Sequence, residues 1–169
     1  MRKLALVHHG WADASSGLLT PFGFAQMGRL VRLLQVMIKE GEKAIVLSAT
    51  APEAVQSSGI LASGLGVSVE NHDILQSVWV GARKNEHLRE TLALIESKSA
   101  DYDVIIVVGN YTYVGGFPAF FCDKHLGEKL AGDARIEGIM RGESFVIDCE
   151  KKTCRRLTKR MLEGGAFKK

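Results

Sequence analysis

Apolar residues along the chain follow two rhythms. Leu4–Val7, Ala44–Leu47 and Val104–Val108 are short continuous apolar runs, the pattern of strands buried on both faces, and Val67–Val69 reads as a further short strand. Between the first two, Met27, Leu30, Val31, Leu34 and Ile38 recur at three- and four-residue spacing, which predicts one apolar face of a helix. Thr20 and Pro21 suit its N-cap and first turn, and Gly41 suits its end. A second helix is predicted from about Pro52 to Ser63, and a third over His87–Ser97 with Leu88, Leu92 and Ile95 on one face. Val104–Val108 is the most β-branched run, so it is predicted to be a central parallel strand. In the Gly- and aromatic-rich stretch Gly109–Phe121, Gly115-Gly116 is expected to break a helix and Pro118 to restart it. Ile136–Met140 and Ser144–Cys149 read as a hairpin across Arg141-Gly142. Thr153–Leu162 reads as an amphipathic helix, with Cys154, Leu157 and Met161 inward and Arg155, Arg156, Lys159 and Arg160 outward.

Strand–helix alternation of this kind predicts an α/β fold of three layers: a mostly parallel sheet flanked by helices, with a C-terminal antiparallel hairpin. No period repeats and no linker separates two cores. The expectation is one domain over 1–163, with 164–169 a disordered basic tail. Composition agrees, with 46% apolar and 24% charged residues in 169, as in a soluble globular chain. No apolar run approaches the ~18 residues that span a bilayer. Leu4–Val7 is also too short for a signal-peptide core, so a cytoplasmic protein without membrane contact is expected. Cys122, Cys149 and Cys154 lack CxxC spacing and read as reduced thiols. Charge is uneven: from Lys151 to Lys169 there are eight Lys or Arg and one acid, Glu163, so the first 150 residues are net acidic. That basic end reads as a solvated helix face, or as an adaptor surface for anionic partners. A single aromatic residue, Phe167, stands among its cations, too few to stack successive bases, so nucleic acid is not expected as a partner.

Candidate chemistry begins at Val7-His8-His9-Gly10, where a buried strand delivers two imidazoles to the rim at which α/β sheets bind ligands. Leu6-Val7-His8-His9-Gly10, then Leu19-Thr20-Pro21-Phe22-Gly23 with Gln26, resembles the opening of the histidine phosphatase (phosphoglycerate mutase-like) superfamily. Leu47–Ser57 resembles that family's Ser-Ser-Pro-x-x-Arg-Ala-x-Gln-Thr segment, and Val104–Gly109-Asn110 its Val-x-x-Val-Gly-His strand end. Length and hairpin are most similar to the small phosphohistidine phosphatase branch. The resemblance implies a phosphoglycerate mutase-like fold and a mechanism in which a histidine attacks phosphorus, two arginines and a second histidine grip the phosphoryl oxygens, and an acid protonates the leaving group. His9 matches the nucleophile. His8 stands at the first arginine, Glu53 at the second and Asn110 most nearly at the second histidine. The acid has no local motif; Glu86 and Glu90 are candidates.

These departures decide the functional expectation. Phosphoryl transfer rests on positioning and on cations at the equatorial oxygens. A His and a Glu in place of two arginines make the pocket more negative by two to three charges, each worth ~3–4 kcal/mol at 4–5 Å with an effective dielectric near 20. A protonated His8 beside Glu53 would recover part of the attraction, though without the five-donor fork of an arginine. The expectation is a degenerate member, catalytically impaired, acting in binding or regulation on an unidentified small molecule or phosphoprotein. One alternative is an active phosphatase or phosphohistidine phosphatase using His9; another is the basic C-terminal adaptor. No cofactor is expected. A metal held by His8, His9 and Glu53 is disfavoured because adjacent strand residues point to opposite faces. Trp11 and Tyr111 are expected to line the pocket, with Trp79, Tyr113, Phe117, Phe120 and Phe121 either adding aromatic area there or packing the core.

Overall fold

The computed structural model describes residues 1–76, 84–127 and 139–158; within them the side chains of 84–85 and 111–115 are not described. Strands β1 (Lys3–His8), β2 (Ala44–Ser48), β3 (Ser68–Asn71), β4 (Val104–Gly109), β5 (Ser144–Asp148) and β6 (Thr153–Leu157) form one sheet in the order β3-β2-β4-β1-β5-β6. The first four are parallel, β5 runs antiparallel to β1, and β6 runs antiparallel to β5. Helices α1 (Pro21–Gln35), α2 (Pro52–Leu65), α3 (Lys84–Lys98) and α4 (Tyr111–His125) flank this sheet, α1 packing on α2 and α3 on α4. The α/β expectation, the central place of Val104–Val108 and a C-terminal antiparallel hairpin all agree with this architecture. Among the described residues no helix is long and apolar enough to cross a membrane.

Local chemistry explains the boundaries. The Thr20 hydroxyl accepts from the Gly23 N–H at 3.1 Å, capping α1, and Met27, Leu30, Val31 and Leu34 are buried as their spacing requires. Helix α1 ends at Gln35, not at Gly41. There Lys3 Nζ donates to Met37 O at 2.6 Å and Glu42 Oε2 accepts from the Lys39 N–H at 2.8 Å, so the last carbonyls close a turn instead of another helical round. Lys3 therefore faces α1, which puts Ala5 and Val7 on the same side and Leu4, Leu6 and His8 on the other.

Three expectations are corrected. Helix α4 runs unbroken through Gly115-Gly116 and Pro118, because burying Phe117, Phe121 and Cys122 outweighs a glycine penalty of ~1 kcal/mol each. Phe117 and Phe121 thus belong to the core, not to a cleft. The hairpin pairs β5 with β6, not with Ile136–Met140; Ile139 and Met140 are outside any strand and 136–138 lie outside the described residues. Finally, Thr153–Leu157 is the edge strand and not a helix. The turn Cys149–Lys152 returns the chain through Lys152 at φ 51°, with Asp148 Oδ1 accepting from the Lys151 N–H at 2.9 Å. Strand β6 then satisfies the backbone groups along β5's outer edge, which a helix would leave unpaired. The remaining part of the predicted helix and the 164–169 tail lie outside the described residues.

Candidate active site

Parallel order brings the C-terminal ends of β1, β2 and β4 to one rim, and antiparallel β5 begins at that same rim. His8 lies opposite Gly109 in β4, and the His9 N–H donates to Gly109 O at 3.1 Å, so Asn110 emerges beside His9. On the other side the Gly142 N–H donates to both His8 O and His9 O, at 3.1 and 3.0 Å, which anchors the turn before β5 to the end of β1.

The motif glycines serve this crossing. A Cβ on Gly10 would stand 2.7 Å from Gly23 O, and one on Gly23 would stand 2.2 Å from Trp11 O. Only glycines allow the chain leaving β1 to pass so close to the start of α1. Neighbouring side chains complete the scaffold. Ser57 Oγ accepts from the Gly10 N–H at 3.0 Å, and Gln56 Oε1 from the Leu19 N–H at 2.7 Å. Gln26 accepts from the Trp11 N–H at 2.9 Å and donates to Arg141 O at 2.8 Å.

Both imidazoles are buried, with ring centroids 4.7 Å apart and planes nearly perpendicular. His9 Nδ1 lies 2.9 Å from Gly10 O. A carbonyl only accepts, so Nδ1 carries the proton and Nε2 keeps its lone pair when the ring is neutral. Burial holds His9 below its usual pKa, partly opposed by the Gly10 carbonyl and Glu53 and reinforced by Arg141. The free Nε2 faces Glu53, whose Oε1 is 4.0 Å away in the first turn of α2. His8 Nδ1 donates to Ile139 O at 3.2 Å. Burial, helped by His9, pushes its pKa down to about 4. His8 is therefore neutral near pH 7, and Glu53 is not among the charges that act on it, so the charge recovery expected of it does not occur.

Of the other expected residues, Asn110 is half-buried at the rim and Trp11 is half-exposed at its mouth. Glu86 and Glu90 are exposed on α3, and neither is among the charges acting on His9. Tyr111 opens α4, but its side chain, like that of Tyr113, lies outside the described residues, as does Trp79. Among the described residues no three His, Cys, Asp or Glu groups are placed to hold a metal.

Sequence reasoning missed Arg141. Its guanidinium stacks over Trp11 at 5.0 Å from the ring centroid, and its charge lowers the pKa of both His8 and His9. In the sequence it appeared only as a turn residue. Glu143 was missed too: it is buried, takes a 2.5 Å contact from Arg156 Nη2 and accepts from the Met140 N–H at 3.0 Å. Arg156 is therefore an internal partner and not the outward cation that a helix would have made it.

No protein-family model and no curated protein sequence matches the chain, so its likenesses are structural. A protein assigned as the phosphohistidine phosphatase SixA of Agrobacterium tumefaciens superposes with a TM-score of 0.64 at 18% identity, covering 93% of this chain and 96% of that one. One assigned as an α-ribazole-5'-P phosphatase of Escherichia coli gives 0.65 at 18%, covering 98% and 100%. The protein histidine phosphatase SixA complexed with tungstate gives 0.65 at 17%, covering 92% and 96%. The chain has the histidine phosphatase fold.

Proposed function

We propose that this chain is a histidine phosphatase superfamily member that binds at the His9 cleft but hydrolyses phosphate esters poorly or not at all. The observation that carries this reading is the 4.0 Å separation of His9 Nε2 and Glu53 Oε1. A phosphoryl group in line for attack would sit against Nε2, hence close to a carboxylate. At an effective dielectric near 20, each negative charge at that distance opposes the other by ~4 kcal/mol. His8 supplies no compensating charge, which leaves Arg141, over the face of Trp11, as the single cation among the described residues that acts on His9. A trigonal phosphoryl group in transfer needs cations around its equator, and this arrangement lacks the matched pair.

The test is hydrolysis of p-nitrophenyl phosphate by purified protein. Turnover is expected at background and unchanged by His9→Ala. A second arm restores charge: Glu53→Arg combined with His8→Arg should create tungstate binding measurable by calorimetry. A double variant that binds no better than the parent would mean the pocket has been placed wrongly. One observation favours a second reading, an active phosphatase: the Gly10 carbonyl holds His9 in the tautomer whose Nε2 is free to attack. Clear turnover abolished by His9→Ala would establish it.

A further inference from the structure

Beside the imidazoles, between α1 and the turn leading into β5, lies a cavity of ≈ 220 Å³. Three large apolar side chains line it and remain open to solvent: Trp11 at 48%, Phe22 at 46% and Met140 at 61%. Single exposed apolar residues are ordinary on a protein surface, but three converging on one concavity are the mark of a binding site. The volume falls below the ~300–1,000 Å³ typical for drug-sized molecules, which suits one or two fused rings.

The charge around the cavity is equally specific. Arg29 and Arg141 line it, and so does Glu143, but the Glu143 carboxylate is engaged by Arg156 and by the Met140 N–H. Among the described residues no carboxylate forms an ion pair with Arg141. Held over the Trp11 ring at 5.0 Å and in no ion pair with a described carboxylate, the guanidinium has N–H donors to offer a ligand carboxylate. Its position is built in advance. Arg141 O accepts from Gln26, and Gly142 is tied to both histidine carbonyls. Gly142 has φ 80°, and a Cβ there would meet Gln26 Cδ at 2.7 Å, so the turn has no room to move inward.

We propose that the cavity walled by Trp11, Phe22 and Met140 and capped by Arg141 binds a small flat aromatic anion, an aryl carboxylate whose ring lies on the apolar wall and whose charge meets Arg141. This supplies the ligand class for the binding reading above and rests on it. Isothermal titration calorimetry with 2-naphthoate tests it, with neutral 2-naphthamide as the comparison. The full-length protein should bind one 2-naphthoate saturably and 2-naphthamide about tenfold more weakly. Arg141→Gln and Trp11→Ala, both at solvent-open side chains, should each weaken 2-naphthoate about tenfold. Lys39→Gln, in a basic groove at the other end of α1, should leave it unchanged. Absence of saturable binding, equal affinity for acid and amide, or indifference to both cavity variants would each overturn the proposal. Hydrolysis of 2-naphthyl phosphate is followed in parallel. Turnover there would refute the impaired-enzyme reading, whereas failure of 2-naphthoate to bind would refute only the ligand assignment.

Discussion

Acidification should destabilise this protein through His8, in an amount that can be worked out. In the native state the ring is buried at 6% exposure, donates to Ile139 O and has a pKa of about 4, against 6.5 when free in the unfolded chain. Above the unfolded value both states are neutral and His8 imposes no pH dependence. As pH falls below 6.5 the unfolded chain takes up a proton that the native ring refuses, and stability declines until the native ring also protonates near pH 4. At 1.36 kcal/mol per pH unit the full loss is ~3 kcal/mol, most of it already present at about pH 4.5. That is a large share of the ~5–15 kcal/mol that holds most domains folded. Urea denaturation at steps between about pH 7.5 and pH 4.5 measures it. Other ionisable groups contribute to the same profile, so the quantity of interest is the difference from His8→Asn, whose amide can donate to Ile139 O but cannot ionise. Wild type should lose roughly 2–3 kcal/mol more than the variant across this interval. Parallel pH profiles would refute the buried, neutral assignment of His8 and, with it, the claim that the first arginine's charge has not been replaced.

Two further predictions concern the frame around the site. Gly23→Ala should destabilise by ~1–3 kcal/mol because its Cβ would lie 2.2 Å from Trp11 O, whereas Gly28→Ala in the same helix, with nothing within 4 Å, should stabilise by up to ~1 kcal/mol; equal signs in thermal melts would contradict the close backbone approach. Glu143→Gln should cost ~1–3 kcal/mol in urea denaturation, below the range for fully buried pairs because Arg156 is 31% exposed, and an unchanged midpoint would show that the pair is dispensable.

Much of this protein can be read from residue order alone. The apolar runs locate β1, β2 and β4, because a strand covered on both faces has no polar face to alternate with, whereas the exposed edge strand β3 has no such run. Thr20-Pro21 marks the start of α1, because a cap needs only its own side chain and the next few N–H groups. The motif containing His9, Gly10, Gly23 and Gln26 was visible too, and with it the rim where the histidines lie. Each of these signals is local, or repeats along one element.

Tertiary structure decided everything that depends on which neighbour an element finds. Thr153–Leu157 carries a pattern that suits a helix face, yet it is a strand, because β5 has an open edge there and hydrogen-bonding groups to satisfy. The run through Gly115-Gly116 stays helical because Phe117 and Phe121 gain more by packing on the sheet than two glycines lose. Charge at the site belongs to the same category. His8 is neutral because of its burial, Glu53 faces His9 because α2 begins where β1 ends, and Arg141 arrives from 132 residues along the chain because β5 runs antiparallel beside β1. A side chain's identity is written in the sequence, but its ionisation and its partners are properties of the space around it, and that space is made only when distant segments close on one another.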